Sequence, residues 1–386
     1  MKSNYNQLGQ YIEMVSRTNS DLKYGIEDVR GCSNTKQMMQ TRANLIGRTY
    51  EKFIVLRPQE FVFNRRTTRN GEKIGMAYNN TDREYIFTND YVAFRVKQEY
   101  LDKLLPDYLY MFFCRDEFDR YARYKSTGSA TEFFNWEDMC AVPFEIPPMD
   151  FQQLVVNAYK VLNERIETKQ KINDNLATQA LTLYSDFVSH RSKKLEQRKL
   201  GDVIASANTG GDAIQKVPIV DYDTGIKCAR VGDITNAREY ASWAFCNASK
   251  SVYDNYKLQA GDILVTRTAT LGITQYIAKD ISAVYNNGLI RLKVDDTNAL
   301  PLYIYWAMKT SDFLNYINQM NSATSVRPNM KIDYLLNYQL SISSIEEQTQ
   351  FTNAVEPLMK AISLNNDEIL KLSEFQAIIL TTLSSR

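Results

Sequence analysis

The most regular feature of the chain is apolar spacing by threes and fours. Val155, Ala158, Leu162 and Ile166 are spaced in this way, and Ile172, Leu176, Leu183 and Phe187 continue the stripe. Phe351, Ala354, Leu358 and Ile362 repeat the spacing, followed by Ile369, Leu372, Ile379 and Leu383. Each stripe covers about 30 residues, or ~45–50 Å as α-helix. A helix that long with one narrow apolar face needs a partner helix. The two stripes are expected to pair with each other, with an imperfect seam where Lys169 and Asn365/Asn366 interrupt them. Ahead of each helix the pattern is mixed. Phe61–Phe63, Tyr91–Val96, Asp262–Thr266 and Leu289–Val294 read as strands, while Tyr108–Arg123 and Leu302–Met320 read as helices. Gly- and Asn-rich turns separate them.

The pattern occurs twice. Leu105-Pro-Asp-Tyr-Leu-Tyr110 aligns with Leu300-Pro-Leu-Tyr-Ile-Tyr305, and the match runs on through Phe118/Phe313, Tyr121/Tyr316, Gln152/Gln348 and Leu176/Leu372. An offset of about 195 residues is too long for a solenoid repeat, so a whole domain unit is duplicated. Earlier segments match more loosely: Leu8-Gly9 with Leu200-Gly201, Pro58–Arg65 with Ala260–Arg267, and Asn89–Val96 with Asn287–Val294. The stretches 10–50 and 202–250 diverge most. The resulting expectation is an α+β chain: two mixed α/β domains joined by two long helices that form an antiparallel coiled-coil spacer with a pseudo-two-fold axis. The boundaries are 1–146 for the first domain, 147–190 for the central helix, 191–342 for the second domain and 343–386 for the distal helix. Pro147-Pro148 ends the first domain.

Composition narrows the function. With 386 residues, 44% hydrophobic and 24% charged, the chain has room for two or three domains. Lys+Arg and Asp+Glu nearly cancel, leaving +1, so any polyanion must be met by a local patch. His190 is the only histidine, which excludes a site built on several. The five cysteines (Cys32, Cys114, Cys140, Cys228, Cys246) form no C-x-x-C pair, so a zinc cluster is not expected, and free thiols in a reducing cytoplasm are. No apolar run approaches membrane length. Phosphate loop, dinucleotide fingerprint, nucleophile elbow and Asn-Pro-Pro-aromatic methyltransferase motif are all absent. A chain this long without catalytic motifs reads as a binder or a subunit. Asp295-Asp296, a pair of carboxylates, reads as a polar turn rather than a reaction centre.

Three stretches resemble a known family: Gly225-Ile-Lys-Cys-Ala-Arg-Val-Gly-Asp-Ile-Thr-Asn236, Gly261-Asp-Ile-Leu-Val-Thr-Arg-Thr-Ala-Thr-Leu-Gly272 and Ser341-Ile-Ser-Ser-Ile-Glu-Glu-Gln348. In this order, with partial echoes at Tyr50–Asn64, Thr88–Asp90 and Pro147–Gln152, they resemble the specificity subunit of type I restriction-modification systems over essentially the whole chain. The family's helix start, P-L-P-P-x-x-E-Q, has serines in place of the prolines in the second half, and Phe151 in place of Glu in the first. The resemblance implies a non-catalytic DNA-binding subunit. Each domain would read one half of a split, asymmetric double-stranded DNA target. The helices would dock two modification (methyltransferase) subunits, and restriction (motor and nuclease) subunits would join them. S-adenosylmethionine, ATP and Mg²⁺ would belong to those partners. The alternative is a helical scaffold or regulatory protein that pairs two partners without reading DNA.

Candidate DNA contacts follow from residue type. Arg65, Arg66, Arg69 and Lys73 form a basic loop after a strand, suited to phosphate and guanine. Arg267, Thr268 and Thr270 hold the corresponding position in the second half. Lys125 and Ser129, and Thr324 and Arg327, lie in matching hydroxyl-rich loops whose N–H groups could meet phosphates or simply make turns. Lys216 and Arg230 are further candidates, with Arg42, Arg48 and Arg238 behind them. His190 to Lys199 is a basic connector, read as solvated with a backbone-contact role open.

Overall fold

A computed structural model describes residues 6–41, 45, 47–67, 73–127, 132–190, 195–210, 218–323 and 329–383. It divides into two compact units: residues 1–166 with 371–386, and residues 167–370.

In the first unit the strands are β1 (Ile12–Val15), β2 (Arg30–Cys32), β3 (Met38–Gln40), β4 (Ile54–Leu56), β5 (Phe61–Asn64), β6 (Met76–Tyr78), β7 (Tyr85–Phe87) and β8 (Tyr91–Val96). The main sheet has the order β1-β8-β5-β6, antiparallel throughout, while β2-β3 and β4-β7 form separate ladders. Helices α1 (Pro106–Phe113), α2 (Asp116–Lys125) and α3 (Trp136–Cys140) follow, and then the long α4 (Met149–His190). Phe61, Phe63, Phe94, Phe113, Phe118 and Phe134 fill the core between sheet and helices, and Val155 and Leu383 close it.

The second unit repeats the plan. After β9 (Glu196–Lys199) come β10 (Ile204–Thr209), β11 (Ile219–Val220), β12 (Lys227–Ala229), α5 (Val231–Thr235), β13 (Phe245–Cys246), α6 (Lys250–Tyr256), β14 (Ile263–Thr266), β15 (Thr274–Tyr276), β16 (Ala283–Tyr285) and β17 (Leu289–Val294). Helices α7 (Pro301–Ala307), α8 (Ser311–Ala323) and α9 (Ile332–Leu336), strand β18 (Gln339–Ile342) and the long α10 (Ile345–Thr382) complete it. The main sheet, β10-β17-β14-β15, has the order of its counterpart. The outer sheet differs: β11-β13-β12-β16 is four-stranded, with β12 and β16 parallel.

Two expectations need correction. Tyr108–Arg123 and Leu302–Met320 are each two helices. The break after Phe113 is followed by Asp116, Glu117 and Asp119, which favour a fresh N-terminus, and Thr310 Oγ1 accepts from Phe313 N (3.4 Å) at the start of α8. The connector before β10 is also not simply solvated, since Glu196–Lys199 pairs antiparallel with β18.

Both long helices keep one face covered. On α4 that face runs Gln152, Val155, Tyr159, Leu162, Ile166, Lys169, Asn173, Leu176, Ala180, Tyr184, Phe187; on α10 it runs Gln348, Phe351, Val355, Leu358, Ile362, Asn365, Ile369, Leu372, Gln376, Ile379, Leu383. Ala158 and Ala354 are exposed; the covered step is four residues, to Tyr159 and Val355, rather than three. Ile172 and Leu183 are also exposed, at 41% each. Pairing is antiparallel within each unit. In the first, Gln376 Nε2 donates to Asn163 Oδ1 (3.5 Å). In the second, Lys169 Nζ meets Glu368 Oε2 (2.8 Å), while Tyr184 packs edge-on and Phe187 tilted against Phe351.

Each helix is pinned to its unit by the same device. Buried Gln152 accepts from Leu105 N (2.9 Å) and donates to Lys103 O and Pro147 O. Buried Gln348 accepts from Leu300 N (2.8 Å) and donates to Ser343 O. Leu105 and Leu300 precede Pro106 and Pro301, each at the first turn of a helix, so the glutamines satisfy N–H groups the helices leave over.

Candidate nucleic-acid interface

In the second unit the candidate residues meet at one turn, Asn286–Gly288, between β16 and β17. Arg267 follows β14, and its N–H donates to Gly288 O (2.9 Å). Its guanidinium donates to Asn287 O (3.3 Å), Asn287 Oδ1 (3.1 Å) and Met330 O (3.2 Å). Thr268 is bridged to Asn329, and Thr270 is exposed just beyond. Gly288 is forced by crowding: a Cβ there would lie 2.3 Å from Val231 Cγ2 and 2.9 Å from Thr268 Oγ1. Asn286 N donates to Ala229 O (3.0 Å), which seats the start of α5 on the same turn. Arg230 there grips Asp233 (3.1 Å), which also holds Arg238 (3.3 Å). Gly210 packs on this turn too, a Cβ at that position falling 2.1 Å from Tyr285 O. Lys216, Thr324 and Arg327 lie outside the described residues.

The first unit has a matching edge. Arg65 follows β5 and is exposed, its carbonyl accepting from Phe134 N (2.9 Å), as Arg267 O accepts from Met330 N (2.8 Å). Arg66 bridges to Phe133 and reaches Asp90 (3.5 Å), in the turn before β8. Lys125, at the end of α2, lies beside Tyr121 and Tyr124; Tyr124 is 82% exposed. Lys73 is not part of this grouping. It pairs with Asp116 (3.3 Å) at the opposite end of α2, which is 10 residues long, or ~15 Å. Arg69, Ser129 and Arg42 lie outside the described residues. The exposed pairs of Arg66 and Lys73 contribute little to stability and can exchange an acid for a phosphate.

Next to Lys73, towards the start of α2, lies a buried ion pair that spacing does not reveal. Lys36 Nζ contacts Asp119 and donates to Ile74 O (2.9 Å), while Ile74 N donates to Asp119 Oδ1 (3.0 Å). Burial pushes the Lys36 ammonium below its ordinary value, and Asp119 opposes the shift. The pair fixes the residue that ends the basic loop. In the second unit, Lys309 Nζ donates to Thr274 O (2.9 Å), and burial lowers its pKa to about 8.

Among the described residues no group of three or more His, Cys, Asp or Glu is placed to hold a metal ion, and no helix is long and apolar enough to cross a membrane. All five cysteines are free. His190 is the exposed last residue of α4.

Both units thus place an arginine just after the corresponding strand of a like-ordered sheet, Arg65 after β5 and Arg267 after β14. Residues 192–374 match the family model described as "Type I restriction modification DNA specificity domain". Over that stretch, which lies mostly in the second unit, the chain is similar to a DNA sequence-specificity domain of that family. The fold agrees: the crystal structure of the S subunit of a type I restriction-modification system from M. genitalium superposes with a TM-score of 0.51 at 13% identity, covering 98% of this chain and 96% of that one. The HsdS subunit from Thermoanaerobacter tengcongensis covers 98% and 95% at 15% identity, with a TM-score of 0.36. A chain from a structure on assembly of the type I R-M system covers 98% and 96% at 13% identity, with a TM-score of 0.40. No curated protein sequence matches the chain.

Proposed function

We propose that each unit reads one half of a split, asymmetric double-stranded DNA target. The supporting observation is the convergence of Arg230, Arg267 and Thr268 on the Asn286–Gly288 turn, matched by Arg65 and Arg66 beside Asp90. Arginines give affinity through phosphates, and their side chains at base edges give sequence. The outer sheets differ between units, so the half-sites differ. Arg69, Lys125 and Ser129 join the first interface, and Lys216, Thr270, Thr324 and Arg327 the second, while Lys73 stands apart from both. A near-neutral chain needs such local clusters.

The paired helices dock two modification subunits, and restriction subunits complete the assembly. Leu154 (68% exposed), Val161 (61%), Leu364 (61%) and Phe375 (57%) supply apolar surface that a lone chain leaves in water. S-adenosylmethionine, ATP and Mg²⁺ are bound by those partners, and the complex works in the cytoplasm. The test is to express the chain with an adjacent modification subunit and map methylated bases across a genome. A split motif is expected, and replacing residues 1–145 should change one half only. A continuous palindrome, or no motif, overturns the reading and leaves a scaffold that pairs partners without reading DNA.

A further inference from the structure

The second unit carries a chain of polar contacts from its arginine-bearing edge to its helices. Polar groups inside a helix pair are costly unless partnered, and here they are. Lys169 Nζ donates to Asn365 Oδ1 (2.9 Å), Asn365 Nδ2 to Asn173 Oδ1 (2.8 Å), and Asn173 Nδ2 to Asn366 Oδ1 (2.6 Å). The network leaves the helices at one point, where Asn366 Nδ2 donates to Glu239 Oε1 (2.6 Å).

Glu239 stands on a tightly held segment. Its neighbour Arg238 shares buried Asp233 with Arg230, and Arg238 O accepts from Nε1 of buried Trp243 (2.9 Å). Ser242 N donates to Glu239 O (2.9 Å), and Tyr240 OH donates to Ser282 O (3.3 Å), beside β16. A displacement of Glu239 would therefore be carried through Arg238 and Asp233 to Arg230. We propose that the Glu239–Asn366 contact is a positioning contact, holding the α5 segment against the helices so that Arg230 meets DNA in one orientation. This role rests on the DNA reading above, and Glu239 and Asn366 touch no base in it.

The test uses the full chain and three forms of residue 239. Glu239→Ala removes the acceptor, whereas Glu239→Gln keeps an oxygen for Asn366 Nδ2. In amide hydrogen exchange, Glu239→Ala should speed exchange in residues 227–246 at least about tenfold, a detached local unit opening far more often than the whole. Exchange in 61–96 should stay unchanged, and Glu239→Gln should restore the slow rate. Unaltered exchange in 227–246 overturns the contact. Alongside the modification subunit, Glu239→Ala should relax discrimination in the half-site read by the second unit by about tenfold, comparable to one mismatched base pair. The other half should keep its selectivity. Equal relaxation in both halves, or none, overturns the role. A wild-type complex with no split motif overturns the DNA reading and this role with it, while the exchange result still decides the contact.

Discussion

In both units a strand ends in an arginine whose carbonyl accepts from the chain returning after a helix: Arg65 from Phe134, and Arg267 from Met330. In both, a buried glutamine ties a long helix to the N–H before a proline. Around this shared frame the units differ. The first has two two-stranded outer ladders, the second a four-stranded mixed sheet. The first buries a cation against a carboxylate, Lys36 on Asp119, and the second buries Lys309 on a carbonyl. The frame is common to both units, and the outer parts vary around it.

The largest expected effect breaks the first of these differences. Asp119→Ala should destabilise the first unit by about 3–5 kcal/mol, because buried Lys36 loses its counter-charge and Ile74 N its acceptor. Amide exchange of β5 and β6 measures it, and an effect spread evenly over both units would contradict the pairing. Gln152→Leu and Gln348→Leu should each cost about 2–3 kcal/mol by orphaning buried backbone groups. Matched losses in urea unfolding, each confined to its own unit by exchange, would sharpen the case for a common frame.

Lys309→Met should act in the opposite direction, stabilising the second unit by about 1–3 kcal/mol at neutral pH. Folding lowers the Lys309 pKa from 10.5 to about 8. Between those values the unfolded chain binds more protons, so wild-type stability rises with pH relative to the variant. The gain in Tm should therefore shrink as pH climbs from 8 towards 10.5. The smallest effects lie at the edges. Arg65→Ala should weaken DNA binding about tenfold and reduce the salt slope by about 1, and Lys125→Ala should do less.

Much of this architecture is legible in the sequence, because duplication and the three-four stripe both reflect burial. The stripe misplaces Ala158 and Ala354, since an alanine adds little to a covered face and Tyr159 or Val355 covers it as well. The place of Arg65 and Arg267 just after a strand is legible in the sequence. The meeting of Arg267 with Asn286–Gly288 is not legible there, because a crowded glycine looks like any turn glycine until Val231 and Thr268 are seen against it. The Lys36–Asp119 pair spans distant segments with no periodicity to betray it.

The first unit draws its last piece, residues 371–383, from the far end of the chain, where Leu383 closes the core and its carbonyl accepts from Arg115 Nη1 (3.0 Å). During vectorial synthesis the first unit thus cannot close its core until residues 167–370 have been made. The second unit needs only a continuous stretch, 167–370, already emerged by then. Truncation near residue 371 should therefore destabilise the first unit, although none of its sheet strands is touched, more than the second.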